Sequence, residues 1–452
     1  MTLLRTLLWF VLAAAAMFAA VWLAERPGTV TAEWHGWRLD TSVGVVLIAV
    51  VLLILLSIAV WLLYRWIVGA PGALLDGWGE SRRRRGYRAL TQGLAAVAAG
   101  DGAEAQKNAR KAEALLSEPP LTLLLSAQAA QLTDDRDGAR KAFNAMLEDE
   151  QMAFLGLRGL IAQALRDGDQ GQALAYAERA FKLRPQTPWV VHSLFDMQAQ
   201  IGRWRDAQET LDAGLRRKVV TQEKGRTLKA LLLVERSRTA EHDGNDADAL
   251  GLAREAFGLA PERIAVSSRL AELQIKTGDS RRAMRTLERA WALAPHPDLA
   301  ALYLKSSGEA DPLKRVGIVR KLVAQKPDDL ESNLALAQAA LDAGLWGEAR
   351  RYLDAAGGTS PPVRVCRLMA EVEERAQSDQ AKVHEWLART ATAPADKAWR
   401  CSACGAHHEA WRSVCESCGA FGTLHWRAPG TYGHILPPEV QPTAALQAPL
   451  SS

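Results

Sequence analysis

Apolar positions along this chain follow three rhythms. Two unbroken runs come first: 19 residues without a charge from Thr6 to Ala24, and 24 more from Thr41 to Tyr64. At a rise of ~1.5 Å per residue, either is long enough as a helix to cross ~30 Å of hydrocarbon. A cleaved signal peptide is the rival reading of the first run, because Arg5 precedes it and small residues surround Ala24. Its length argues against that, since the apolar core of a signal peptide is usually about 7–15 residues. Between the runs, Val30–Trp34 and Trp37–Thr41 alternate apolar and polar residues on either side of His35-Gly36. Alternation around a two-residue, glycine-containing connection predicts a β-hairpin, with Trp34 and Trp37 as a cross-strand pair.

The third rhythm is helical and fills most of the chain. Gly168-Asp169 is followed by Ala173, Ala180 and Pro185, and Gly278-Asp279 by Ala283, Ala290 and Pro295 at the same offsets. Asp243-Gly244 leads in the same way to Ala249, Ala256 and Pro261. Turn starts fall at 100, 134, 168 and 202, then at 244 and 278, in steps of 34 apart from an eight-residue insertion between 202 and 244. Gly344 lies 66 residues further on, two repeats with a degenerate one near Ala310, and a fainter unit with Ala381 follows. A period of 34 with this grammar is that of tetratricopeptide (TPR) repeats, each a pair of helices.

The small alanines, seven apart on one helical face, let neighbouring helices approach closely. The glycine makes the turn between the helices, and the proline stops the second helix. Each pair leaves an apolar face half covered, so the pairs must stack into a solenoid. An ordinary alanine-rich bundle has no reason to keep step. Eight or nine pairs are expected from Arg82 to about Thr390, with the insertion lengthening the helices around Lys218 to Arg238.

Charge changes the picture only at the membrane end. Residues 1–88 hold nine of the 55 Lys/Arg and five of the 51 Asp/Glu, which is the whole excess of +4. The repeats are balanced, so the basic stripe that a nucleic-acid binder needs is not visible. Beyond the second run come Arg65, Arg82-Arg83-Arg84-Arg85 and Arg88, against a mixed-charge loop at 25–40. The positive-inside rule places both termini in the cytoplasm of a two-span anchor. The arginine run reads either as a plain topology signal or as a site for anionic lipid headgroups. His192, His242, His296 and His384 occupy unrelated repeat positions and read as surface or packing residues, and Cys366 as buried filler.

One constellation carries sharp chemistry. Cys401-Ser402-Ala403-Cys404-Gly405 and Cys415-Glu416-Ser417-Cys418-Gly419 are paired knuckles separated by ten residues. In each, the first Cys opens a turn and the Gly allows the positive φ that closes it. Four thiolates, Cys401, Cys404, Cys415 and Cys418, predict a closed tetrahedral site for structural zinc, or for iron in rubredoxin fashion. A redox disulfide pair is the competing use of this spacing, and His407, His408 and His425 lie near enough to substitute as ligands. Trp399, Trp411, Phe421 and Trp426 are expected to form a small core of the module's own. About 30 residues bury too little to fold alone, so the ion should supply the stability.

The membrane end, with Pro27-Gly28-x-Val30, Trp37-Arg38-x-Asp40-Thr41-Ser42, the arginine-rich stretch and Gly93, resembles the HemY family of membrane-anchored TPR proteins. The run Trp399 to Pro429, including Phe421-Gly422-Thr423-Leu424-His425-Trp426, is similar to the ending of alphaproteobacterial members. The resemblance implies an inner-membrane scaffold for late tetrapyrrole enzymes in protohaem synthesis, with protein partners and membrane lipid but no catalysis. A strand–helix Gly-x-Gly-x-x-Gly for a dinucleotide is missing, and no motif assigns a haem or porphyrin ligand.

A regulatory adaptor in lipopolysaccharide assembly is the alternative, since such adaptors also join a membrane anchor, TPRs and a rubredoxin-like module. They carry a single span where two are expected here. A redox or metal-dependent enzyme is the remaining class. The expected plan is all-α: an anchor at 1–70 with a periplasmic hairpin, a linker at 71–81, a TPR-like solenoid at 82–392, a four-cysteine metal-binding module of zinc-ribbon or rubredoxin type at 396–428 and a disordered tail at 429–452.

Overall fold

A computed structural model of the chain describes Trp22 and residues 29–34, 37–116, 119–377 and 379–430. Apart from Trp22, the expected first span lies outside the described residues, as do the His35-Gly36 turn and the tail beyond 430. The chain divides into two compact units, 1–125 and 126–452.

In the first unit, β1 (Thr29–Trp34) and β2 (Trp37–Ser42) pair antiparallel from Thr29↔Ser42 to Trp34↔Trp37. This is the hairpin and register that the alternation predicts. Helix α1 (Val43–Ala99) follows at once and runs for 57 residues. Its Val43–Tyr64 portion has a mean hydropathy of 3.3 and is long and apolar enough to cross a membrane. Apolar side chains such as Leu53 and Leu56 are exposed along it, and an all-apolar helix with its backbone bonds satisfied internally suits lipid.

The backbone stays helical through 71–81, where the glycine and proline content predicts a linker. One proline costs a helix about 3 kcal/mol, and helix propagating from both flanks offsets that. The helix stops at Gly100, whose φ of 76° makes a left-handed cap. Helix α2 (Gly102–Leu115) follows it.

In α3 (Pro119–Leu132) the chain crosses from one unit to the other. Pairs then follow at the predicted places: α4 (Arg136–Met146) completes one, α5 (Ala153–Arg166) and α6 (Gln170–Leu183) form the next, then α7 (Pro188–Gln200) and α8 (Trp204–Arg216). After these come α9 (Gln222–His242) with α10 (Asp246–Leu259), and α11 (Ile264–Lys276) with α12 (Ser280–Leu293). The degenerate repeat is α13 (Pro297–Ser307) with α14 (Pro312–Val323), turning at Gly308. Last are α15 (Leu330–Asp342) with α16 (Trp346–Gly357), and α17 (Val363–Gln377) with α18 (Gln380–Arg389).

Turn glycines 168, 202, 244, 278 and 344 all take φ between 72° and 80°, and Asp134 takes the same role at 53°. Five residues after each of those glycines an alanine is fully buried: Ala173, Ala207, Ala249, Ala283 and Ala349. Asp135, Asp169, Asn245 and Asp279 cap second helices by accepting a backbone N–H three residues on, which satisfies one of the otherwise unpaired amides.

Glycine also sets one helix-to-helix approach. A Cβ on Gly159 in α5 would meet the Phe143 ring of α4 at 2.2 Å. The Gly159→Ala variant should therefore lose about 1–3 kcal/mol through overpacking, read as a lowered midpoint in thermal unfolding followed by circular dichroism.

The insertion has a definite place. Helix α9 has 21 residues where α7, α11 and α15 have 13. Its C-terminal turn keeps step with Gly278, so the eight extra residues are its first two turns, 222–229.

Candidate metal centre

The segment after α18 forms β3 (Ala398–Cys401), β4 (His407–His408) and β5 (Leu424–Arg427), in the order β4-β3-β5 and antiparallel throughout. Its two knuckles are near copies. In the first, the Gly405 N–H donates to the Cys401 carbonyl at 3.0 Å and the Cys401 N–H to the Ala406 carbonyl at 2.9 Å. In the second, Gly419 donates to Cys415 at 2.8 Å and Cys415 to Ala420 at 3.0 Å. Gly405 and Gly419 have φ of 77° and 71°, the left-handed conformation that closes each turn without a Cβ penalty.

The four sulfurs all lie within 4.8 Å of one another. Cys401 Sγ is 3.7 Å from Cys418 Sγ, and Cys404 Sγ is 3.7 Å from Cys415 Sγ. A tetrahedron with metal–sulfur bonds of ~2.3 Å has an edge of ~3.8 Å. The four cysteines are thus placed to hold a metal ion. Thr423 Oγ1 lies 3.2 Å from Cys401 Sγ, and the Ala403 N–H donates to the same sulfur at 3.4 Å. Burial pushes the Cys401 thiol up, but the Thr423 hydroxyl and the Cys404 and Ala403 amides outweigh it and bring it to about 7. Cys404 and Cys418 are pushed up by burial.

The three nearby histidines separate. His408 is buried with Nε2 at 3.3 Å from Cys415 Sγ, a neighbour of the sulfur cluster and not a member of it. His407 is exposed. His425 faces the repeats, where its Nδ1 meets Arg263 Nη1 at 3.2 Å.

The module does not stand apart from the solenoid. Trp399 packs with Cys401, Cys415 and Leu424, and Trp411 and Trp426 lie against them, the small core that the sequence predicts. Phe421 departs from that expectation. It is 4% exposed because it enters the core of the repeats with Val191, Phe195, Leu211 and Leu231. Its ring meets Phe195 edge-on at 5.5 Å and Trp204 at 6.1 Å.

Gln200 Nε2 donates to the Gly419 carbonyl at 3.1 Å. A Cβ on Gly422 would press on Leu231 and Leu228 at 3.1 and 3.2 Å. The Arg238 guanidinium lies 5.4 Å over the Trp411 ring. Phe195, Gln200, Leu228, Leu231 and Arg238 all belong to α7 and α9, the first helices of their pairs. The inserted turns of α9 supply Leu228. The reason is visible locally: a Phe-Gly pair just past a metal knuckle is too apolar for a 30-residue module to bury alone, and the neighbouring helices complete it.

His296, read as a surface or packing residue, is 1% exposed between Trp399 at 5.3 Å and Trp426 at 4.5 Å. Its Nδ1 accepts the Asp298 N–H and so caps α13. Burial, then Arg364 and Lys397, lower its pKa to about 3. The unfolded chain takes up this proton near pH 6.5 and the folded chain near 3, so this contribution to stability is complete above 6.5 and is lost as pH falls toward 3. Asp298, 3.5 Å away, is the carboxylate facing the ring. His296→Asn keeps a capping acceptor and cannot titrate. Its unfolding free energy, from denaturant titration, should vary less between pH 6.5 and 4 than that of the wild type, by roughly 1–3 kcal/mol.

Comparison with known proteins now bears on the anchor and the repeats. Residues 28–134 match the family described as HemY protein N-terminus, and residues 242–305 match a tetratricopeptide repeat. The chain is of the HemY type at its N-terminus and a TPR protein beyond it. It is 32% identical to Protein HemY of Escherichia coli K12 over 140 residues, 30% of this chain and 35% of HemY. Over its whole length it is 26% identical to "Probable magnetosome protein Mms48" of Magnetospirillum gryphiswaldense, with 96% of each chain covered. A solved Naa15/Naa10 complex bound to HypK-THB aligns over 70% of this chain and 59% of its own at 15% identity and a TM-score of 0.41. The solenoid is established from its own turns, caps and buried alanines.

Proposed function

We propose that this chain is an inner-membrane scaffold that organises late tetrapyrrole enzymes in protohaem synthesis at the cytoplasmic face. The observation that carries the reading is the HemY-type N-terminus at residues 28–134, with its hairpin and apolar helix. Two spans with both termini in the cytoplasm are part of the proposal, as is the absence of catalysis. TPR faces serve protein docking, and that supports an adaptor role.

The first-helix face around α7, α9 and α11 is covered by the four-cysteine module, so partners must use other repeats or displace it. Further along, α13, α15 and α17 frame a cavity of about 420 Å³ with Leu304, Leu334 and Leu368 in its wall and Arg367 at its edge. That groove, in which Arg364 and Arg367 are matched by Glu331 and Asp342, suits an apolar segment. Cys401, Cys404, Cys415 and Cys418 hold a structural zinc ion in this reading, with iron the alternative. The ion joins two knuckles that would otherwise be held by little apolar burial.

Deletion of the gene should raise coproporphyrin or protoporphyrin and lower haem, and affinity capture from solubilised membranes should recover tetrapyrrole enzymes. Unchanged porphyrins with altered lipopolysaccharide, or capture of envelope-assembly proteases, would overturn it. The full-length similarity to a probable magnetosome protein favours a second reading, a magnetosome-associated scaffold. That reading expects porphyrins to be untouched when the gene is deleted.

A further inference from the structure

The seam between the four-cysteine module and the repeats encloses a cavity of about 540 Å³, within the ~300–1,000 Å³ of small-molecule sites. Its walls come from two places that the sequence keeps far apart. The repeats supply Phe195 and Asp196 from α7, Lys224 and Leu228 from the inserted turns of α9, and Arg263 just before α11. The module supplies Ser402, Phe421, Thr423 and His425. Without the insertion, α9 would begin near residue 230, and the cavity would lose the wall that carries Lys224, Thr227 and Leu228. We propose that this seam binds a small molecule with an anionic carboxylate or phosphate head on an apolar body.

The charge pattern argues for an anion. Arg263 is half-buried, and among the described residues it forms no ion pair. Its hydrogen-bonding neighbour is His425 Nδ1 at 3.2 Å. Burial, then Arg263 and Arg427, hold that imidazole down at about 4, so it is neutral near pH 7 and can accept from the guanidinium without supplying a counter-charge. Burial pulls the Arg263 pKa down, against the pull of neighbouring Glu262, and a buried charge of this kind gains strongly from a counter-ion.

Lys224 also forms no ion pair among the described residues, although its field reaches Asp196. Two helix N-termini, those of α9 at Thr221 and α11 at Arg263, border the cavity, and neither N-cap residue makes a side-chain cap. Each contributes partial positive charge and free amides. Against these stand Asp196 and Glu223. Glu223 is exposed. Burial raises Asp196 to about 6, with Lys224 pulling the other way, so Asp196 is the group that an anion must tolerate or that accepts a donor from the ligand. Phe195, Leu228 and Phe421 form the apolar wall for the body of the ligand.

Because one wall belongs to the module, a ligand here binds the docked form alone, and it should stabilise that form by mass action. The test uses full-length, metal-loaded protein in detergent. Calorimetric titrations with benzoate and with phenyl phosphate separate the two head groups, and benzyl alcohol is the uncharged control. Saturable binding of one or both anions is expected, with no saturation by benzyl alcohol. Arg263→Gln and Lys224→Gln should each weaken the affinity ten-fold or more. Arg226→Gln, exposed on the same inserted turns, should leave it unchanged, and Asp196→Asn should tighten it. Because Arg263 is half-buried, the exposed Lys224 keeps the test sound if Arg263→Gln misfolds. The bound anion should also slow proteolysis between 396 and 428. No saturable anion binding, equal binding of benzyl alcohol, or equal loss in Arg226→Gln would each overturn the proposal.

Discussion

Cys415→Ser should abolish metal retention and free the C-terminal module from the repeats. Cys415 is 1% exposed, its sulfur faces that of Cys404 at 3.7 Å, and its backbone anchors the loop that carries Phe421. Structural zinc contributes apparent free energies of about 10–16 kcal/mol in comparable small modules, more than the packing of 30 residues can replace. The expected result has three parts. Metal content by mass spectrometry falls from one ion per chain to none, residues 396–428 become open to protease, and amide exchange accelerates in α7 and α9 where the module lay. Chelation of the wild-type protein should reproduce all three. A variant that keeps the docked module without metal would show that the solenoid alone holds the fold, and the structural role of the ion would be lost.

Phe421→Ala separates docking from metal binding. Truncating a buried phenylalanine costs about 3–5 kcal/mol, and this ring packs with residues of the repeats. The knuckle bonds and all four sulfurs remain, so one ion per chain should still be found. Docking should nevertheless weaken by roughly a hundred-fold or more, at about 1.4 kcal/mol per ten-fold, read as accelerated amide exchange at Leu231 and Phe195 with unchanged metal stoichiometry. Loss of the ion in this variant would mean that the sulfur site itself depends on the repeats.

The contrast between those two variants follows from what the chain's sequence does and does not reveal. Local rules place the hairpin, the turn glycines, the buried alanines and the knuckles, because each is set by residues within about one repeat of one another. Gly244 with Ala249 and Ala256, or Cys401 with Cys404 and Gly405, needs nothing distant to be interpreted. Phe421, His296 and Arg263 escape that reading, since their partners across the seam lie a hundred residues or more away and nothing in a period or a spacing points to them. Two signals do point toward the seam. Phe421-Gly422 is an apolar pair where a small metal module is ordinarily polar, and the eight-residue insertion breaks the period where the module lands. The stretch 71–81 differs from its expected linker for another reason: composition weighs Pro71 and the glycines by themselves, whereas helix propagation weighs them against long helical flanks.

The last pair of helices ends at Arg389 and the first module strand begins at Ala398, so only eight residues separate them. That connection is itself held, since the Val363 N–H donates to the Pro394 carbonyl and the Arg364 N–H to Asp396 Oδ1 at 3.1 and 3.0 Å. A ligand on so short a leash sees its own receptor at an effective concentration in the millimolar range. A free protein at about 1 μM would need roughly a thousand-fold greater intrinsic affinity to compete evenly for the same surface. A visitor to that part of the superhelix therefore competes only when it is itself concentrated there, or once the module has been released.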